Sequence, residues 1–251
     1  MPTMNLRHFE EVDSTNVRLK ALLLEERIPD ETIIMADLQT AGRGQAGTVW
    51  ESTKGLNLTF SLLTYHIPPL PVSDHFFLSQ VIALSLKETC DLYLPDNNHS
   101  PFTIKWPNDI FWNDRKIAGI LIENDITDTE LYHSIIGIGV NINQLDFKEL
   151  APQAVSLREI TGEEQDRFLF LERFLERFRH YRPSIKTLTT RSIRATYREA
   201  LYRKGVQASY QDADGVFTAT LEEVCADGRL MLRPDCEKIR YYSFKEVQFL
   251  P

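Results

Sequence analysis

The chain has 251 residues, of which 43% are hydrophobic and 25% charged, with a formal net charge of −8. That size and balance suit one large globular domain, or a domain with a small appendage. The negative charge argues against general nucleic-acid binding, which relies on a basic face to neutralise phosphates.

No stretch approaches the roughly 20 apolar residues of a membrane span. The N-terminus MPTMNLRHFEEVDST lacks the basic-then-apolar layout of a secretion signal. Cys90, Cys225 and Cys236 show no CxxC spacing, which speaks against a disulfide framework or thiolate metal site. The expected compartment is the cytoplasm. In chain order, Ser14 is a good N-cap, and Val17, Ala21 and Leu24 recur at helical spacing until Pro29. Residues 32–36 read as a buried strand, followed by a glycine-rich segment at 42–47. Leu56, Leu58 and Phe60 alternate with Asn57 and Thr59 in a strand pattern. Residues 73–90 read as a helix, Phe102–Trp106 and Ile110–Trp112 as short extended pieces, and Asn113-Asp114 as a hairpin turn. Strands follow at Lys116–Glu123 and Tyr132–Ile142.

Further on, Phe168, Leu171, Leu175, Phe178 and Arg182 fall on one helical stripe with Phe174 beside it, and Pro183 is expected to close that helix. After Gly205 the texture changes to short alternating runs broken by Asp214-Gly215 and Asp227-Gly228. Those are hairpin signals, and five short strands fit into about fifty residues. The expected division is a mixed α/β unit at 1–203 and a small antiparallel barrel at 204–251.

Gly42-Arg43-Gly44-Gln45-Ala46-Gly47 matches the GxGxxG dinucleotide fingerprint literally. That fingerprint requires a helix opening at the third glycine and an acid about 20 residues on. Here Gly47 leads into ThrValTrpGluSer and a strand, so a Rossmann site is not expected. An anion-wrapping loop fits better: converging backbone N–H groups, with the planar fork of Arg43 beside them. Trp50 offers an aromatic face for a purine or for the core. Lys116, followed by Ile117-Ala118-Gly119, places a compact cation where backbone can approach a ligand closely. His8, His66, His75, His99, His133 and His180 are scattered and read as structural or exposed. Arg191, Arg194, Arg198 and Arg203 read as a solvated helix face rather than a partner site.

Four ordered segments resemble the biotin protein ligases: Ser14-Thr15-Asn16, GlnThrAlaGlyArgGly at 39–44, LysTrpProAsnAsp at 105–109 with LysIleAlaGly at 116–119, and GlyIleGlyValAsn at 137–141. The resemblance implies an α/β (α+β) catalytic domain of the class II aminoacyl-tRNA-synthetase-like, biotin-lipoyl ligase type, with a mixed sheet and a Src-homology-3-like barrel behind it. It implies an ATP- and magnesium-dependent enzyme that makes biotinyl-5'-AMP and passes biotin to a biotin carboxyl carrier protein. By the same resemblance Lys116, Arg43 and Asp109 are catalytic. Ser14, Thr15, Asn16, Gln39, Gly42, Arg43, Gly44, Gln45, Lys116, Gly119, Gly137 and Gly139 hold biotin. Trp50, Lys105, Asn108 and Asn141 hold the nucleotide, and Asp109 lies near the metal. Gln45 and Thr48 stand where many family members carry cations, which shifts more of the electrostatic task onto Arg43 and Lys116. The alternatives are a lipoate–protein ligase, a passive biotin-binding module, and a DNA-binding regulator. Thirteen residues before Ser14 leave no room for a DNA-binding domain in this chain, so no nucleic-acid partner is expected.

Overall fold

The computed structural model describes residues 4–95, 100–147, 153–187, 190–235 and 238–251. His99 and Cys236 lie outside the described residues. Seven strands form one mixed sheet: β1 (Asn5–Val12), β2 (Thr32–Gln39), β3 (Leu58–Pro71), β4 (Phe102–Lys105), β5 (Asp109–Trp112), β6 (Arg115–Thr127) and β7 (Glu130–Val140). Their order is β1-β2-β3-β7-β6-β5-β4, with β1 parallel to β2 and the remaining neighbours antiparallel.

Helices cover the two faces unequally. On one side α2 (His75–Asp91) and α4 (Arg167–Thr187) close the main core over Phe60, Leu62, Ile136 and Ile138. On the other, α1 (Thr15–Glu25) packs Leu19 and Leu22 on Ile34, Leu63 and Ile135. Because α1 is short, the rest of that face is left to a cleft.

A second, antiparallel sheet holds β8 (Gln207–Asp212), β9 (Gly215–Val224), β10 (Leu230–Pro234), β11 (Arg240–Tyr242) and β12 (Gln248–Phe249), in the order β11-β10-β9-β8-β12. This five-stranded arrangement is consistent with a Src-homology-3-like unit. Its Tyr210, Leu221, Leu230 and Leu232 join the same apolar cluster as the large sheet, so one core serves both. The link is made by α5 (Thr190–Glu199) and the residues after it: Ile104 N–H donates to Ala200 O and Tyr202 N–H to Ile104 O, sealing the β4 edge.

Several expectations differ from the structure. Strand β1 and the short α3 (Leu157–Thr161) carry no clear period and were not expected. Helix α1 ends at Glu25, before Pro29, and Leu24 points to solvent at 87% exposure. Its buried face carries Thr15, Asn16, Leu19 and Leu22, two of them polar, which disguises the stripe. Pro183 lies inside α4, which runs on to Thr187; proline removes one donor, and the surrounding packing of Phe178 and Ile185 holds the helix through it. Phe168 is at the exposed rim of α4, and Phe170 takes the core position instead.

Candidate active site

Sheet register explains where the cleft lies. Paired residues on neighbouring strands share a face, and one row across the sheet reads Ala36, Thr59, Gly139, Gly119, Asp109. The next row reads Ile34, Ser61, Gly137, Leu121, and the third ends at Ile135 and Glu123. Glycine in mid-strand lets other groups approach bare backbone. A Cβ on Gly139 would stand 2.3 Å from Trp50 Cε2, and one on Gly137 would stand 2.4 Å from Asn16 Oδ1. These two glycines therefore seat the indole of Trp50 and the amide of Asn16 directly on the sheet.

Lys116 reaches the same face through an irregularity. It precedes Gly119 by three residues, so strict alternation would send its side chain to the opposite side. Between β5 and β6 the register shifts: Ile110 pairs with Ala118, but Phe111 pairs with Lys116. A β-bulge of this kind re-aims a side chain. Lys116 Nζ consequently lies 2.7 Å from Asp109 Oδ1 and 5.8 Å from the centre of the Trp50 ring. Its backbone is clamped as well, with N–H donating to Gln153 O at 2.7 Å and O accepting from Val155 N–H at 2.9 Å.

The glycine-rich segment folds over the cleft as a tight hairpin. Gly44 N–H donates to Thr48 O, Trp50 N–H donates to Gly42 O, and a single 3-10 turn spans Gln45–Gly47. No α-helix opens at Gly47, whose φ is +86°; the chain instead runs on to β3, which excludes the Rossmann arrangement. Arg43 is exposed on this hairpin.

A cavity of about 240 Å³ lies between hairpin and sheet. It brings together Ser14, Thr15, Asn16, Gln39, Arg43, Gly44, Gln45, Trp50, Asn108, Asp109, Lys116, Gly119, Gly137 and Gly139 of the expected residues. One end is polar. Thr15 N–H and Thr15 Oγ1 both reach Gln39 Oε1, at 2.8 and 3.1 Å. Ser14 occupies the N-cap position, but its side chain makes no cap hydrogen bond, which leaves the hydroxyl free for the cavity. A second cavity of about 350 Å³ shares Thr48, Val49, Trp50 and Lys116 with the first and adds Glu51, Phe111 and Asn141. Lys116 and Trp50 thus stand at the junction of two adjoining spaces. Trp50 Nε1 is buried there without a hydrogen-bond partner.

Two expected residues lie elsewhere. Gly42 is buried in the neck of the hairpin and does not line the cavity. Lys105 lines a separate pocket, its ammonium 4.5 Å from the Phe111 ring, 5.4 Å from Phe249 and 5.7 Å from Tyr202. Burial pushes its pKa down, with Asp109 opposing. Asn141 is buried beside the second cavity, with its amide 3.4 Å from Lys116 O.

Asp109 is the one carboxylate lining the first cavity among the described residues, and no group of three or more His, Cys, Asp or Glu side chains gathers anywhere among them. Sequence reasoning passed over Ser61, Glu123, Trp106 and Phe244. Ser61 continues the alternation Thr59-Phe60-Ser61-Leu62, so a buried polar face was its available signal. Trp106 donates from Nε1 to Gly228 O at 2.9 Å, and its ring meets Phe244 edge-on.

Comparison with known proteins finds relatives of this fold. The model of the biotin/lipoate A/B protein ligase family matches residues 8–141. The bifunctional ligase/repressor BirA of Bacillus subtilis (strain 168) is 33% identical over 182 residues, 69% of this chain and 54% of the relative. The chain thus spans about half the length of the BirA relatives it matches. A biotin--[acetyl-CoA-carboxylase] ligase from Paracoccus denitrificans is 29% identical over 229 residues, 88% of this chain and 91% of that one. The structure of biotin protein ligase from Aquifex aeolicus in complex with biotin and ATP is similar with a TM-score of 0.78 and 28% identity, covering 99% of this chain and 100% of that one. The fold, the trough of bare backbone and the family match over more than half of the residues lead to one statement: this chain belongs to the biotin/lipoate A/B protein ligase family.

Proposed function

We propose that the chain is an ATP-dependent biotin protein ligase. It activates biotin to biotinyl-5'-AMP and transfers the biotinyl group to the acceptor lysine of a biotin carboxyl carrier protein in the cytoplasm. The observation that carries this reading is the Lys116–Asp109 pair at the junction of a polar-ended cavity and a second cavity holding Trp50 and Asn141. In the first step a biotin carboxylate oxygen attacks the α-phosphorus of ATP, forming a P–O bond as pyrophosphate leaves. Two anions must meet for this, and Lys116 with Arg43 supplies the positive charge that offsets their repulsion and the charge building on phosphorus. In the second step the lysine amine attacks the acyl carbon, the C–O bond to AMP breaks, and the amine gives up one proton. Asp109, held at the same point, is the nearest carboxylate to receive it.

Ser14, Thr15 and Gln39 serve the ureido head, and Asn16 backs them. The backbone at Arg43, Gly44, Gln45, Gly119, Gly137 and Gly139 follows the body and tail of the acid. Trp50, Asn108 and Asn141 meet the nucleotide. Lys105, caged by aromatic rings, contributes field rather than contact. Magnesium fits this site as a partner of the phosphates: one carboxylate, Asp109, would hold it, with ATP oxygens and water completing the shell. Bound there, it would add charge neutralisation to the phosphate chain. We take residues 1–203 as the catalytic unit and 204–251 as the appended one.

Lipoate, the alternative acid, lacks a ureido group and would leave the polar end around Thr15 and Gln39 unpaired, which disfavours it. Incubation of the protein with biotin, ATP, magnesium and a carrier domain, followed by intact-mass measurement, should give a biotinyl adduct and release pyrophosphate. The same mixture with lipoate in place of biotin should give neither. No adduct with biotin, or an equal yield with lipoate, would refute the proposal.

A further inference from the structure

The polar end of the cavity rests on a hydrogen-bond chain whose direction is set outside the cavity. Glu123 lies on the cleft face of β6 but does not line the space. A carboxylate only accepts, so Asn16 must turn its Nδ2 toward Glu123 Oε2, at 2.7 Å. Asn16 Oδ1 then faces Ser61, whose hydroxyl donates to it at 2.6 Å. A hydroxyl has one proton. With that proton committed, Ser61 Oγ, 2.7 Å from Thr15 Oγ1, can meet Thr15 only as an acceptor. The Thr15 proton goes inward, to Ser61 Oγ or to Gln39 Oε1, and what Thr15 turns to the cavity is lone pairs. The Asn16 amide cannot retreat from this arrangement, since it is pressed on Gly137.

Resting on the ligase reading, we propose that Glu123 is a positioning residue: acting through Asn16 and Ser61, it makes Thr15 an obligate acceptor and so selects an acid whose head carries an N–H donor. Without the carboxylate the chain can reverse. Asn16 would then donate to Ser61 and Ser61 to Thr15, which fills one Thr15 lone pair and leaves the Thr15 proton divided between Gln39 Oε1 and the ligand's N–H, where it would meet donor with donor.

Two substitutions test this in the full chain. Glu123→Gln keeps size and can either donate or accept, and Glu123→Leu removes the acceptor. Biotin KM and calorimetric Kd should rise about tenfold in Glu123→Leu and less in Glu123→Gln, the scale of one misdirected buried hydrogen bond. The kcat and the ATP KM should stay within about twofold of the parent. An analogue methylated on the ureido nitrogens has no N–H to offer, so its weaker binding should be nearly indifferent to either substitution, whereas a merely structural role would weaken both ligands alike. Unchanged biotin binding in both variants, equal losses for both ligands, or a fall in kcat alone would overturn the role. Failure of the parent chain to bind biotin would instead bring down the ligase reading, and this inference with it.

Discussion

At the scale of single residues, the proposed chemistry depends on where one bulge sends one amine. Lys116 sits beside Gly119 and Asp109 because Ile117 is the extra residue between paired positions on β5 and β6. Replacing Lys116 by alanine would leave the Asp109 carboxylate and an incoming phosphate facing each other without the cation now 2.7 Å from Asp109. Biotin-dependent pyrophosphate exchange should fall by about 100-fold or more, on the scale of losing one preorganised donor to a developing anion. Near-parental exchange in that variant would exclude the role. The residues that gather around the cavity were legible in sequence because they cluster in short motifs: Ser14-Thr15-Asn16, the glycine loop, and the two lysine segments. The residues that orient them were not. Asn16 meets Glu123 across 107 positions and Ser61 across 45, and no local pattern announces a partner at that distance.

At the scale of elements, what matters is how the arm between β4 and β5 is held. Pro107, Asn108 and Asp109 line the cavity, and Trp106 anchors them by reaching out of the large sheet to the turn before β10. That turn has little freedom: Gly228 has φ +89°, and a Cβ there would come within 2.9 Å of Phe76 on α2. Phenylalanine at 106 would keep an apolar ring and abolish the N–H···O bond to Gly228. We expect kcat/KM for ATP to drop about tenfold, the cost of a lost partner at a half-buried carbonyl, while biotin affinity holds. Steady-state kinetics varied in each substrate would check it, and parental values for ATP would mean that the second sheet does not position the arm. Elements with a strong period, such as the alternation in β3 and the aromatic stripe of α4, were readable from spacing. Strand β1 was not, because Glu10 and Glu11 are both exposed after the half-buried Phe9, which breaks any two-residue rhythm of hydrophobicity. The true end of α4 was hidden for a different reason: tertiary packing carries the helix past Pro183, which local propensity cannot foresee.

For the whole molecule, the two sheets share one apolar core, and charge rather than packing makes the fold sensitive to its surroundings. His66 on β3 is the clearest case. It is 6% exposed, and its Nε2 lies 2.8 Å from Ser134 Oγ, whose own proton goes to Asn124 Oδ1. Ser134 therefore accepts, and the imidazole is neutral with its proton on Nε2. Burial, with Arg182 adding to it, pulls the His66 pKa down to about 4, while Asp30 works weakly the other way. In the unfolded chain the ring regains a pKa of about 6.5. Below that value the unfolded state binds a proton that the folded state refuses. The stabilisation is thus complete above pH 6.5 and is lost progressively as pH falls toward 4. Between pH 7 and pH 5 the loss should be on the order of 1 to 2 kcal/mol, reduced from the full linkage value by the partial solvation of the ring. His133, also pulled down by burial, adds a smaller loss of the same sign, whereas the carboxyl of Asp37, held below its ordinary value beside Arg167 and His8, titrates at lower pH than this window. Glutamine at position 66 keeps a donor for Ser134 and cannot titrate. Urea unfolding of the parent and of His66→Gln at the two pH values should show the parent losing more stability than the variant; equal losses would mean that His66 is already free to take up a proton in the folded state.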